Sequence, residues 1–144
     1  ISKFYLYTGQ IQNIKNHSTS FGKLCGGLLG NICGVTLVFS LFFFLNFPAA
    51  ADKFFSITAV KWSYPWYHYI ASGMCCGALM TIATKKESPL WLSILCVMAF
   101  ILAGFNHCVA DWFYVFGATS PIKYFYWFLT VIGNFIGGLI IATN

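Results

Sequence analysis

Residues 90–118 constrain this chain more than any other stretch. Apolar residues run from Leu90 to Ala103, pause at Gly104-Phe105-Asn106-His107, and resume from Cys108 to Phe116 with Asp111 as the one interruption. Together the two halves exceed the roughly 20 residues of helix that cross a bilayer. A titratable group at mid-depth is costly and in such proteins tends to mark a pathway or a site. A glycine-interrupted hydrophobic segment points the same way, because non-helical backbone at that depth survives only where protein or a polar cavity surrounds it. The stretch predicts a broken membrane helix with His107 at its break, in a transporter or channel for a small solute.

Composition supports a bilayer setting. The chain is 59% hydrophobic and only 8% charged, against about 25% charged residues in a soluble domain. Apolar runs near Leu24–Leu45, Ile70–Ala83, Leu90–Phe116 and Phe125–Ala142 are the expected membrane segments, in a single transmembrane domain over residues 1–144. All eight basic residues are Lys and lie outside these runs or at their ends. That placement reads as anchoring at the lipid interface, not as a nucleic-acid patch. Lys15, Lys23, Lys85 and Lys86 fall on one side of this scheme and Lys53, Lys61 and Lys123 on the other, which favours the first side as cytoplasmic by a single residue. The six cysteines sit in or beside the apolar runs without a Cys-x-x-Cys pair or a Cys/His metal spacing. They read as small buried hydrophobes, and neither disulfide, metal nor cofactor is expected. The reading is of a transport protein, not an enzyme.

Along the chain, the pattern predicts a break at Thr8-Gly9 followed by a half-helix to about Ile14. A helix over Lys23–Phe47 follows, then an extramembrane loop over residues 49–65. A helix over Trp66–Thr84 and a turn through Pro89 lead to the broken helix, and a last helix runs from Ile122 to about Thr143. The order contains a repeat. Gly30-Asn31-Ile32-Cys33-Gly34 and Gly133-Asn134-Phe135-Ile136-Gly137 share a Gly-Asn-x-x-Gly core, and each follows a glycine-containing break. With an intact helix opening each unit, every unit would hold three spans, and the second would lie inverted relative to the first. The first unit lacks that opening helix, so the chain is expected to be truncated at its N-terminus.

His107 is the sharpest chemical candidate. Burial penalises an imidazolium, so the ring is expected to be neutral, donating to an anion or exchanging a proton with a passing weak acid. A core His that only bridges helices is the bland alternative, and a haem or metal ligand shared with His68 is another. Asp111, four residues on, could share a helical face with His107 and would then favour the charged ring. Thr8 places a hydroxyl at the first break, flanked by Leu6 and Tyr7. Asn31 and Asn134 carry amides inside apolar helices, where they need partners and could satisfy the broken backbone. Their flanking glycines suggest close helix contact. Lys61 could sit at a pore mouth and draw anions by its field, or only snorkel to the interface. Phe100 precedes His107 by two helical turns and is a candidate hydrophobic gate.

These residues carry a family resemblance. Ala103-Gly104-Phe105-Asn106-His107-Cys108-Val109-Ala110 resembles the Gly-Phe-Glu-His-Ser-Val-Ala-Asn signature of the formate/nitrite transporter family. Val131-Ile132-Gly133-Asn134-Phe135-Ile136-Gly137-Gly138 resembles its last-helix motif, and Leu6-Tyr7-Thr8-Gly9 its Leu-Phe-Thr loop. The resemblance implies an all-α, aquaporin-like inverted repeat with two broken helices, of which the first helix and half of the second are missing here. It implies a homopentamer in a lipid bilayer that passes small anions of weak acids, such as formate, nitrite, hydrosulfide or lactate, together with protons. The membrane would be the cytoplasmic membrane of a prokaryote or the plasma membrane of a single-celled eukaryote.

By position, Thr8 and His107 resemble the family's central pair, Lys61 its vestibule lysine, and Leu6, Tyr7 and Phe100 its constriction. Asn31, Asn134 and Asn106 fall at helix-break support positions. Three departures stand out. Asn106 occupies the place of the family's Glu, Asp111 that of its Asn, and Gly77 a position often held by Asn. A membrane-anchored haem or redox subunit and a non-transporting membrane scaffold are the rival readings.

Overall fold

A computed structural model describes residues 7–15, 19–45, 48–85 and 87–142. Among them the chain forms seven α-helices and no strand: α1 (Tyr7–Lys15), α2 (Phe21–Phe44), α3 (Pro48–Lys61), α4 (Trp66–Thr84), α5 (Leu90–Leu102), α6 (Cys108–Val115) and α7 (Ile122–Ile141). The α2 and α7 helices are long and apolar enough to cross a membrane, while α5 is a shorter apolar helix that α6 continues beyond a break. The α4 helix, expected as a fourth span, falls outside that class. Trp66, Tyr67, His68 and Tyr69 at its start lower its hydropathy most, and its buried side carries Ser72, Gly73, Gly77 and Thr81, which serve helix packing.

The expected loop over residues 49–65 is corrected. Pro48 opens α3, a position where its fixed φ suits a helix and its missing N–H is no loss, and Ala50 and Ala51 follow as strong helix formers. Trp62 to Pro65 alone link α3 to α4. Phe54 and Thr58 turn the helix inward, against the tight turn at Gly117. Phe39, Phe42 and Phe43 of α2 and Phe113 of α6 gather around Phe54 with ring centroids 5.3–6.2 Å from it.

The tightest packing joins α4 to α7. A Cβ added at Gly77 would run into the carbonyl of Asn134, and one at Gly137 into the carbonyl of Met74. Backbones this close are the benefit of small residues at a membrane helix crossing. The first Gly-Asn segment behaves differently. A Cβ at Gly26, Gly27, Gly30 or Gly34 would meet nothing within 4 Å, so the expected close contact does not form there. The α2 helix instead exposes Leu29, Leu37, Val38, Leu41 and Phe44. A face this apolar needs lipid or protein against it.

A compact core forms where the half-helices meet the long ones. Tyr7 and Ile11 of α1, Leu24 of α2, and Cys108 and Val109 of α6 are buried together, with Val131, Phe135 and Leu139 of α7 packed around them. The starts of α1 and α6 are thereby held against the same neighbours.

Candidate functional site

The break between α5 and α6 is built from ordinary helix-end chemistry. Gly104 takes φ +69°, a left-handed conformation that glycine adopts without a Cβ clash. The N–H of Gly104 donates to Ile101 and that of Phe105 to Phe100, at 3.1 and 3.0 Å. This paired arrangement closes a helix that ends in a left-handed glycine. Five non-helical residues, 103–107, separate α5 from the new helix that begins at Cys108.

Three side chains from elsewhere satisfy the exposed backbone. Asn134 accepts from the Cys108 N–H at 2.9 Å and donates to the carbonyls of Asn106 and Gly73, each at 2.9 Å. Ser72 accepts from the Asn106 N–H at 2.8 Å, and the Trp127 indole donates to the Cys108 carbonyl at 2.7 Å. Buried backbone groups require such partners. Ser72 and Trp127 were not singled out from sequence. One serine on a small-residue helix and one indole in an aromatic run carry no signal of their own. Asn31 stands apart, because its Nδ2 is buried without a partner. It borders a groove of about 500 Å³ between α2 and α6, lined also by Val35, Val38, Val109 and Phe113. The backbone before Tyr7, including Leu6, lies outside the described residues.

His107 is itself the N-cap of α6. Its Nδ1 accepts from the Ala110 N–H at 3.3 Å, so the lone pair there is occupied and the ring is the neutral Nε2–H tautomer. Nε2 then donates to Thr8 Oγ1 at 3.1 Å. Thr8 is fully buried and His107 nearly so. Phe100 lies nearly parallel to the imidazole, with centroids 5.7 Å apart. It reaches the ring across the break; the two-turn spacing read from sequence does not apply, since the helix stops at Leu102. Tyr7 is buried beside Thr8.

The charged residues pair differently from the sequence expectation. Asp111 does not pair with His107. Its Oδ1 lies 2.8 Å from Lys61 Nζ, and its link to His107 is the helical bond from its own N–H to the His107 carbonyl. Asn106, expected to support the break, instead accepts from the same ammonium through Oδ1 at 2.9 Å. Lys61 is therefore not a free cation, and the ring of Tyr114 lies 5.6 Å below it. Tyr69 holds the end of α3 in place by donating to the Lys61 carbonyl at 3.1 Å. His68 stacks on Tyr64 with centroids 4.3 Å apart, whereas both ring nitrogens of His107 are engaged, by Thr8 and by the Ala110 N–H.

Among the described residues, two long apolar helices and a third apolar helix whose continuation is broken beside a buried imidazole and hydroxyl define a membrane protein with a polar site inside its helix packing. The formate/nitrite transporter family model matches residues 5–143. The chain belongs to that family, and so is an integral membrane channel or transporter for anions. Comparison with individual curated proteins and with solved structures gives no match.

Proposed function

We propose that the chain forms a passage for small monovalent anions of weak acids, with Thr8 and His107 at its narrow centre and a proton accompanying the anion beside His107. The observation that carries this reading is the 3.1 Å contact between Thr8 and His107 at the starts of two half-helices. Helix N-termini favour negative charge, and a neutral imidazole adds a hydrogen-bond donor. Phe100 and Tyr7 act as apolar constriction residues, with Leu6 next to Tyr7 in sequence. A bare anion meeting such a wall is poorly solvated, and a protonated acid is not.

The protomer is proposed to follow the aquaporin-like inverted repeat, with α1 and α2 answering to α6 and α7, and to assemble as a homopentamer. The bare apolar face of α2 is consistent with a lipid or subunit contact. Lys61 stands on the substrate's approach, its charge shared with Asp111.

The test is uptake of formate, nitrite, hydrosulfide and lactate into liposomes containing the full chain, compared with His107→Phe. Uptake of at least one of these, reduced at least tenfold by the substitution while the oligomer stays intact, is expected. Equal flux in both would leave His107 without a part in conduction and favour a scaffold.

A further inference from the structure

Gly22, Gly26, Gly30 and Gly34 recur every four residues along α2, so they share one face of the helix. All four are exposed, and a Cβ at any of them would meet nothing within 4 Å. Beside this strip runs the groove of about 500 Å³ between α2 and α6, and Asn31 borders it with an enclosed Nδ2 that has no partner. Asn31 lies ten residues into the 24-residue α2, a depth to which lipid chains bring no hydrogen-bonding group. Lipid can cover the glycines there but leaves the amide unmatched.

The second Gly-Asn segment shows what such a seat takes. On α7, Gly133 and Gly137 receive the backbone of α4, and Asn134 Nδ2 donates to the Gly73 carbonyl at 2.9 Å. A Gly-Asn-x-x-Gly segment of this chain thus packs on a small-residue helix and hydrogen-bonds its backbone. Asn31 carries the same amide between the same glycines, and an apolar setting demands the same kind of partner for it.

Among the described residues a second small-residue strip faces outward. Ala71 and Cys75 of α4 are exposed, with the half-buried Ala78 next in line, on the side of α4 turned away from Gly73 and Gly77. The outward faces of α5 and α7 carry bulky residues instead, such as Trp91, Met98, Phe125 and Phe128. The two small strips also match in level. The start of α2 and the end of α4 lie on one side of the protein, because α1 ties them together: Ile11 packs with Leu24, and Gly9 faces Thr84. Gly30 and Gly34 stand nine and thirteen residues from Phe21; Cys75 and Ala71 stand nine and thirteen from Thr84. At 1.5 Å per residue the pairs are level, about 14 and about 20 Å from that side.

We propose that in the bilayer α2 of one copy seats antiparallel on the outer face of α4 of a second copy, the partner's Cys75 over Gly30 and the partner's Ala71 over Gly34. Asn31 turns into the groove and donates to a backbone carbonyl of that helix. Pairing α2 with α2 would set glycine on glycine and bring no side chain into the groove, whereas the α4 face brings several. The contact joins two different surfaces, so each copy binds two neighbours, the geometry that builds rings. It gives the oligomer of the transport reading its contact and rests on that reading's membrane setting, but its test involves no flux.

The experiment is copper-phenanthroline oxidation of the full chain in liposomes, followed by non-reducing gel electrophoresis. Cys33 is exposed on the flank of the glycine strip and Cys75 on the α4 face, while Cys76, Cys96 and Cys108 are buried. A ladder of linked chains extending beyond the dimer is expected, reduced at least tenfold in Cys33→Ser and equally in Cys75→Ser. Gly30→Leu fills the strip where its own chain makes no contact, and should abolish the ladder while leaving the helical circular dichroism unchanged. A dimer alone that survives Cys75→Ser would assign the contact to paired α2 helices and overturn the proposal. An unchanged ladder in Gly30→Leu would do the same. No disulfide ladder in liposomes where glutaraldehyde still links the chains would overturn this contact and spare the oligomer. Single chains with both reagents would overturn the two together.

Discussion

Thr8 Oγ1 and His107 Nε2 lie 3.1 Å apart although 99 residues separate them in the chain. The contact is possible because α1 and α6 both start against α7, in a shared core of Tyr7, Ile11, Cys108 and Val109. Since Nδ1 is occupied by the Ala110 N–H, the ring presents a donor toward Thr8 without carrying a charge.

The tautomer is directly measurable. ¹⁵N NMR of the full chain at neutral pH should show His107 protonated at Nε2 and bare at Nδ1. An Nδ1–H signal would show that the ring does not cap α6.

Asn134 carries three hydrogen bonds, two to the backbone of residues 106 and 108 at the break and one to the Gly73 carbonyl of α4. Asn134→Leu keeps the size and deletes all three, leaving buried backbone groups without partners. A loss of about 3 kcal/mol in stability is expected, read as a lower midpoint in thermal unfolding of the detergent-solubilised protein. The same substitution at Asn31, whose Nδ2 has no partner, should leave the midpoint nearly unchanged.

Gly77 and Gly137 meet backbone carbonyls of the opposite helix. Gly77→Asn would restore the residue type common in the family at that position, yet here it has no room unless α4 and α7 separate. We expect it to abolish the folded, monodisperse species on size exclusion. Gly30→Ala should be tolerated and slightly stabilising, because alanine lowers the cost of helix formation by about 1 kcal/mol and meets no neighbour.

The Lys61–Asp111 pair should behave as a unit in stability. Lys61→Met or Asp111→Asn alone leaves a partner buried without its counter-charge, whereas the double variant removes both charges. Breaking a fully buried pair costs about 3–5 kcal/mol. Lys61 keeps 16% side-chain exposure, so about 2 kcal/mol is expected for each single change. Thermal unfolding of all four proteins should show the double variant losing clearly less stability than the sum of the two single losses. Simple additivity would mean that the pair is not coupled.

Phe100 lies nearly parallel to the His107 ring and is a candidate gate. Phe100→Ala should raise lactate uptake relative to formate, because the smaller side chain widens the path. An unchanged ratio in liposome uptake would place the size limit elsewhere.

Much of the architecture could be read along the chain. The Gly104–His107 interruption, the helices over 66–84 and 122–141, and the membrane setting follow from hydropathy and glycine placement, which are properties of neighbouring residues. The α3 helix was missed because its hydropathy resembles that of the adjoining linker, and a helix start at Pro48 reads equally well as the stop of the preceding one. The two Gly-Asn segments look alike as strings, yet among the described residues only the second finds a helix backbone to pack on.

Sequence by itself determined that the chain is helical, membrane-embedded and broken at a histidine, because solvent preference and backbone freedom act over a few adjacent residues. Only the tertiary structure decided who pairs with whom. Asp111 chose Lys61 over a histidine four residues away, Asn106 turned to the same ammonium, and Asn134 took over the broken backbone. A buried polar group binds whichever partner the packing of distant helices brings within about 3 Å, and spacing along one strand of chain carries no record of that.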